Sequence, residues 1–431
     1  LFIKLAVPSL ISMLFSSLYM VVDGMFVGKL LGGTALAAIN LVFPIIMIIF
    51  ALGDMIASGT AVKIGIHLGE KKTNKASEYF TFSLIMLFIL DSIIMTISLF
   101  FVKDIIYMLI KDSNLAEQSY KYAYVFILFL PLIAPFFAID NYLRVCGKAK
   151  LSMWVNISVS ILNIILDAFL IGYLKLGIEY AALASALSML LGMLLSLYPF
   201  LKGNAVLRFT KPHITAKDML EIIYNGSSEF FSNISGSIMS IVINGFLLYL
   251  GGAVGVAAYS IITYIECLVT PLIFAIIDCV QPVISYNYGA KNKKRIFTFF
   301  KITCTTAFII SIITLAIILL FPDFLVGLFA TQSDLAVIKM AKSALLLYAP
   351  SYLFIWFTMT ISGFLTALEK ATLSILLMLV DSIILPLLLI IVLTPFMNVY
   401  GIFIIPTLTS VISALIAFLI LKKVYTVEFR N

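Results

Sequence analysis

Apolar residues in this chain neither alternate with polar ones nor keep to one helical stripe. They run in long blocks separated by short polar breaks. Many blocks reach the ~20 residues that carry a helix across a bilayer. Twelve such helices are predicted, at approximately 4–28, 36–62, 79–102, 121–143, 151–173, 179–200, 220–250, 255–288, 296–320, 341–366, 371–394 and 400–421. A membrane barrel would show ~10-residue strands with every second position polar, and the stretch Ile383–Leu393 has no polar position at all. The pattern predicts an all-α integral membrane fold.

The breaks between blocks repeat. Leu31-Gly32-Gly33 leads to Gly69-Glu70-Lys71-Lys72, and Leu250-Gly251-Gly252 leads to Gly289-Ala290-Lys291-Asn292. Gly147-Lys148-Ala149-Lys150-Leu151-Ser152 is echoed by Glu369-Lys370-Ala371-Thr372-Leu373-Ser374. Both pairs lie about 220 residues apart, half the chain, which marks an internal duplication. The expected organisation is a six-helix lobe over 1–200, an inter-lobe linker over 201–219 and a second six-helix lobe over 220–431. Six is even, so both halves enter the membrane from the same side, related by a pseudo-two-fold axis along the membrane normal. Duplicated bundles of this kind work by alternating access around the interface between halves.

Composition agrees: 63% of residues are hydrophobic and 11% charged, against roughly half and a quarter in soluble proteins. The terminal segments and the loops after even-numbered helices hold roughly three times as many Lys and Arg as the opposite loops, which places both termini in the cytoplasm of a cell inner membrane. The net charge of +7 therefore reflects topology and an anionic lipid leaflet, and no nucleic-acid partner is expected. No cleavable signal is visible. The chain begins at Leu1, so residues before it are expected. Cys146, Cys267, Cys279 and Cys304 lack metal or redox spacing and are expected as free thiols.

Candidate chemistry comes from acids inside the apolar blocks: Asp23, Asp54, Asp91, Asp140, Asp167, Glu229, Glu266, Asp278 and Asp381. A charge in a bilayer needs a partner, yet Lys and Arg fall in loops or at helix ends, where only Lys29, Lys63, Lys121 or Arg144 is placed to snorkel inward. Most of these acids must be protonated, face water or meet a cation that is not protein. Depth selects among them, because Asp23 on helix 1 and Asp167 on helix 5 both lie ~8–9 Å below the outer rim. Asn163 is one turn from Asp167, Tyr19 one turn from Asp23, and Ser185 on helix 6 falls at matching depth. Two carboxylates, an amide and a hydroxyl at one level suit a small hard cation, and the close pair suits a proton equally well. The competing reading is that these groups only hydrogen-bond helices together. Glu229, in the inner part of helix 7, is a candidate for a cationic substrate or second ion, and Asp140 a further one. For Asp54, Asp91, Asp140, Glu266, Asp278 and Asp381 a structural role or exposure at a helix end is expected. Pro8 is positioned to kink helix 1, either statically or in response to Asp23.

Several of these stretches resemble the multidrug and toxic compound extrusion (MATE) family. They are Tyr19-Met-Val-Val-Asp23-Gly-Met-Phe-Val-Gly28-Lys29-Leu-Leu-Gly32 with Ala35-Leu36-Ala37-Ala38, Leu162-Asn163-Ile-Ile-Leu-Asp167 with Ala181-Ala182-Leu183-Ala184-Ser185, and Gln281-Pro282-Val-Ile-Ser-Tyr286-Asn287-Tyr-Gly289-Ala290-Lys291-Asn292. The likeness spans nearly the whole chain and is strongest to bacterial branches of the DNA-damage-inducible and staphylococcal multidrug type. It implies an antiporter that expels organic, often cationic, amphipathic compounds while admitting H⁺ or Na⁺, with no other cofactor, from a monomer in an outward-open V of two lobes. It also implies an ion site at Asp23, Asn163, Asp167 and Ser185, with Tyr19 beside it and Pro8 at the helix 1 kink. Glu229 resembles the helix 7 acid of the sodium-coupled branch. The companion acid of helix 10 is absent, since that region reads Phe354-Ile355-Trp356-Phe357. Tyr180 stands where a small residue is common.

Other functions are disfavoured by what is missing. A lipid-linked oligosaccharide flippase of the same superfamily would want cations facing the cavity. Intramembrane hydrolases need motifs such as His-Glu-x-x-His or Gly-x-Ser-x-Gly, and neither occurs. No Gly-x-x-x-x-Gly-Lys-Ser/Thr loop supplies ATP chemistry, so an enzyme is not expected and an ion gradient is the expected energy source.

Overall fold

The computed structural model describes residues 2–328 and 335–428. Among the described residues twelve helices are long and apolar enough to cross a membrane. They are α1 Phe2–Leu31, α2 Thr34–Gly69, α3 Thr73–Leu109, α4 Ser113–Val145, α5 Ala149–Tyr173, α6 Ile178–Leu201, α7 Ala216–Gly252, α8 Val254–Gly289, α9 Lys293–Leu320, α10 Leu335–Ala367, α11 Ala371–Met397 and α12 Val399–Glu428. The described residues contain no strand.

Several helices outrun their apolar blocks. α4 starts at Ser113, capped by the Asp112 carboxylate accepting from the Leu115 amide at 2.8 Å. Its first two turns carry Glu117 and Lys121, an i,i+4 ion pair that marks an exposed helical face. Hydropathy alone reads such turns as loop.

The duplication is written into the backbone. Left-handed residues recur in pairs about 220 residues apart: Gly32 (φ 94°) with Gly252 (61°), Lys71 (63°) with Lys291 (55°), Gly147 (75°) with Glu369 (58°), and Lys175 (53°) with Asn398 (50°). Beyond the glycines these conformations cost about 1–2 kcal/mol each, so their recurrence in both halves is not incidental. The turns after α2 and α8 close alike, Lys72 N–H donating to His67 O (2.8 Å) and Asn292 N–H to Asn287 O (2.9 Å). Those after α4 and α10 do the same, through Lys148 to Leu143 (2.9 Å) and Lys370 to Leu365 (2.8 Å). Each is a six-to-one Schellman closure over a left-handed residue.

The chain divides into two compact units, one of Ile3–Phe230 with Gly289–Lys291, the other of Phe231–Tyr288 with the described residues from Asn292 onward. The first holds a core around Val42, Ile46, Phe126, Ile133 and Ile178, and a second around Ile56, Tyr79, Phe80, Tyr142 and Ile222. The start of α7 belongs to it because Gly59 of α2 and Gly226 of α7 let the two backbones touch. A Cβ on Gly59 would strike Ile222 O, and one on Gly226 would strike Met55 O. Lys63 and Glu221 form an ion pair of 2.7 Å beside that crossing. The other unit is built around Leu247, Ile262, Leu345, Tyr352, Ile390 and Phe403.

Residues 201–219 form a strap over the start of α3. Leu207 is buried and Phe209 lies 5.2 Å from Phe80, ring to ring. The Arg208 and Thr210 amides donate to Ser77 Oγ (3.2 Å) and Thr81 Oγ1 (3.1 Å), and Tyr79 OH donates to Asp218 at 2.6 Å.

Candidate functional site

Two helices of the first unit change pitch beside an acid. α1 is regular from Phe2 to Phe26, straight through Pro8, and then winds as a π turn over Val27–Leu31. α5 is regular up to Asp167 and becomes a π turn over Ala168–Tyr173. The two π turns pack on each other and on α6. Such single wide turns interrupt the regular hydrogen-bond ladder and recur at functional sites. Here one begins four residues after Asp23 and the other immediately after Asp167.

The side chains that depth alone grouped are brought together in part by direct contact. Asn163 Nδ2 donates to Ser185 Oγ at 3.0 Å, joining α5 to α6. Asp167 is fully buried and Asn163 nearly so. The carboxyls of Asp23 and Asp167 lie within electrostatic reach of each other, and Tyr19 within reach of both. Four oxygens there have no hydrogen-bond partner: Asp23 Oδ1, both Asp167 oxygens and Asn163 Oδ1. Buried acceptors are ordinarily satisfied. A cluster with acceptors in excess of donors, assembled around two carboxyls that repel each other when both are ionised, is chemically suited to a proton or a small hard cation.

Sequence reasoning missed Tyr122. It is buried on α4 and lies within electrostatic reach of Asp23, Tyr19 and Asp167. Counting depth from Ser113, the true start of α4, would have found it nine residues in. Counting from 121 put it at the rim.

The remaining candidates sit in other company. Asp140 is held by Arg144 Nη2 (2.6 Å), Ser152 Oγ (2.5 Å) and Asn156 Nδ2 (3.0 Å), a buried network at the junction of α4 and α5. Arg144 is therefore an arginine drawn inside the first unit, neutralised four residues from its partner. Glu229 is half-buried on α7, one turn beyond the Gly226 crossing. Asp91 on α3 is fully buried with neither oxygen hydrogen-bonded. Glu266 on α8 lies within electrostatic reach of Tyr259, Tyr348 and Tyr352 in the other unit.

The decisive comparison is with a family: the MatE family model matches residues 8–169 and again 230–390, once per half. The chain belongs to the MatE family. As a MatE protein it is a multi-pass membrane transporter and not an enzyme. Among curated MatE relatives, multidrug export protein MepA of Staphylococcus haemolyticus is 28% identical over 356 residues, covering 81% of this chain and 78% of that protein. MepA of Staphylococcus aureus is 27% identical over 359 residues, with the same coverage. The fold matches a crystal structure of MATE in complex with MaL6, with a TM-score of 0.95 at 24% identity over 100% of this chain and 97% of the other. It also matches an outward-facing multidrug resistance MATE family transporter of the MOP superfamily, with a TM-score of 0.94 at 25% identity over 98% and 94%.

Proposed function

We propose that this MatE protein is an antiporter that exports small organic, often cationic and amphipathic compounds in exchange for inward movement of H⁺ or Na⁺. The carrying observation is the set of partnerless oxygens on Asp23, Asn163 and Asp167. They share one cluster on two helices, each of which changes pitch beside its acid. Export of many drugs is supported by the printed function of the MepA relatives. In this reading the functional lobes are 1–200 and 220–431, joined by 201–219, and the monomer lies in the cell inner membrane with both termini cytoplasmic.

The mechanism follows from charge. With the pair ionised, a site of low dielectric holds like charges side by side and draws a cation from outside. Binding of one monovalent cation removes one of the two charges and relieves the repulsion within the pair, with Tyr19 and Tyr122 lining it and Asn163 fixed by Ser185. The wide turns after Asp23 and Asp167 are the parts of α1 and α5 that can change winding without breaking the regular helix below. A change there repacks α1 and releases substrate on the outer side, and return of the empty lobes exposes the ion to the cytoplasm. Glu229 and Asp140 were candidates for substrate or a second cation. The bonds made to Asp140 favour a structural role for it, and Glu229 stays a candidate for substrate charge.

The test is uptake of a fluorescent cationic dye into inside-out vesicles under an imposed pH or Na⁺ gradient. Native protein is expected to respond to one of the gradients. Asp23→Asn and Asp167→Asn are expected to lose that response. Full gradient-driven uptake in both variants would overturn the site.

A further inference from the structure

The duplication allows the two units to be compared position by position, and one layer differs in chemistry. In the first unit Asp140, Arg144 and Ser152 form the buried ionic network at the start of α5. The displacement that pairs Gly147 with Glu369 pairs these three with Ser362, Thr366 and Ser374. Those residues bond through their hydroxyls, Ser362 Oγ to Ser374 Oγ at 2.8 Å and Thr366 Oγ1 to Ser374 Oγ at 3.1 Å. One to two turns deeper the exchange is reversed. Phe136, Val155 and Val159 make an apolar cluster in the first unit, and the positions equivalent to Phe136 and Val159 are Thr358 and Asp381. The charge that the first unit keeps near a loop is placed by the second in mid-helix.

Three further observations converge on Asp381. It is the single charged residue between Lys370 and Lys422, and no ion pair to it occurs among the described residues. It sits in a π turn, Val380–Ile384, which the equivalent part of α5 lacks, since α5 is regular through Val159. Beside it on α12 is Ser413, wholly buried, with its hydroxyl within hydrogen-bonding reach of the Asp381 carboxyl; one turn away Thr409 Oγ1 is buried and unpartnered. Asp381 itself is half-buried. The π turn packs against the rest of α11 and against α12. Apart from Asp381, the titratable groups there are Tyr400, Lys422, Lys423, Tyr425 and Glu428, each at least nine residues from Ser413 and so about 13 Å or more along the helix. α10, which packs on α11, adds Lys339, Lys342, Tyr348 and Tyr352. A carboxylate without a basic partner in a membrane, backed by buried hydroxyls, has the chemistry of a site for a small hard cation.

We propose that Asp381, with Ser413 and Thr409 behind it, binds a small monovalent cation, a proton or a sodium ion, as a second site in the unit that lacks the Asp23–Asp167 cluster. The site does not depend on the reading of that cluster. It gives each half of the transporter its own ion-responsive acid, placed at different depths on the equivalent helices α5 and α11.

The experiment is infrared difference spectroscopy of the full chain in lipid vesicles without substrate, titrated first with acid in the absence of sodium and then with NaCl at fixed pH. A proton site gives a protonated-carboxyl C=O band that vanishes on raising the pH. A sodium site gives a carboxylate-stretch shift on adding NaCl. One of these signals is expected to be missing in Asp381→Asn and to persist in the double variant Asp23→Asn/Asp167→Asn, which removes the bands of the first-unit cluster. Ser413→Ala, which keeps the acid, is expected to move the titration midpoint by about tenfold in ion concentration, the worth of one hydrogen bond to a charged group. Spectra of Asp381→Asn identical to native in both titrations, or an unmoved midpoint in Ser413→Ala, would overturn the proposal. Loss of signals in the double variant alone would bear on the first-unit site instead.

Discussion

Asp140 and Asp167 are both buried acids of the first unit, yet their surroundings are opposite. Asp140 is met by a guanidinium, a hydroxyl and an amide, whereas neither oxygen of Asp167 has a donor. Satisfied charge of the first kind holds a structure together, and unsatisfied charge of the second kind waits for a ligand. Breaking the first should therefore cost stability and not coupling. Arg144→Met is expected to destabilise by about 3–5 kcal/mol, because it strands a buried carboxylate. Asp140→Leu/Arg144→Leu together should recover most of that loss. Thermal unfolding in detergent, followed by circular dichroism, checks both. The sequence made Asp23, Asn163, Asp167 and Ser185 legible through depth counting, since 1.5 Å per residue is a reliable ruler inside a regular helix. It hid Tyr122, because the charged first turns of α4 read as loop. The Asp140–Arg144 pair was readable from its i,i+4 spacing but was obscured by placing Arg144 at the membrane edge.

At the scale of elements, the twelve helices follow from hydropathy and their ends from polar caps, but their winding does not. A π turn differs from an α turn by one extra residue and leaves no mark in composition, so the wide turns after Asp23 and Asp167 and around Asp381 could not be anticipated. Helix contact is more readable: small residues let membrane helices approach closely, and the Gly59–Gly226 crossing of α2 and α7 is an instance. Gly226→Val forces a side chain into the Met55 carbonyl and is expected to lower stability by about 1–3 kcal/mol, as overpacking does. Gly236, also on α7, faces open space, and Gly236→Ala should leave the melting temperature unchanged or slightly raised. Measuring the two side by side separates close approach from helix propensity.

For the whole molecule, the duplication was the most legible feature, and the paired left-handed residues carry it into the backbone. What the repeat did not reveal is how far the halves have diverged, since the polar layers at equivalent positions hold different chemistry. Residues 201–219 were expected as a linker by position, and their packing on Ser77, Phe80 and Thr81 depends on contacts distant in sequence. Charge bias predicts both termini on the cytoplasmic side. A fluorescent protein fused after the last residue should accordingly light up, and an alkaline phosphatase fusion there should be silent.

Ion binding at the Asp23–Asp167 cluster is proposed to release substrate, and such linkage is reciprocal. The direct measurement is the affinity of purified protein for a fluorescent cationic dye at a series of proton and sodium concentrations, in native protein and in Asp167→Asn. In native protein dye binding is expected to weaken at least about tenfold as the coupling ion rises, a coupling of roughly 1.4 kcal/mol. In Asp167→Asn the affinity should become independent of that ion. A native affinity that stays constant across both ion series would contradict this linkage.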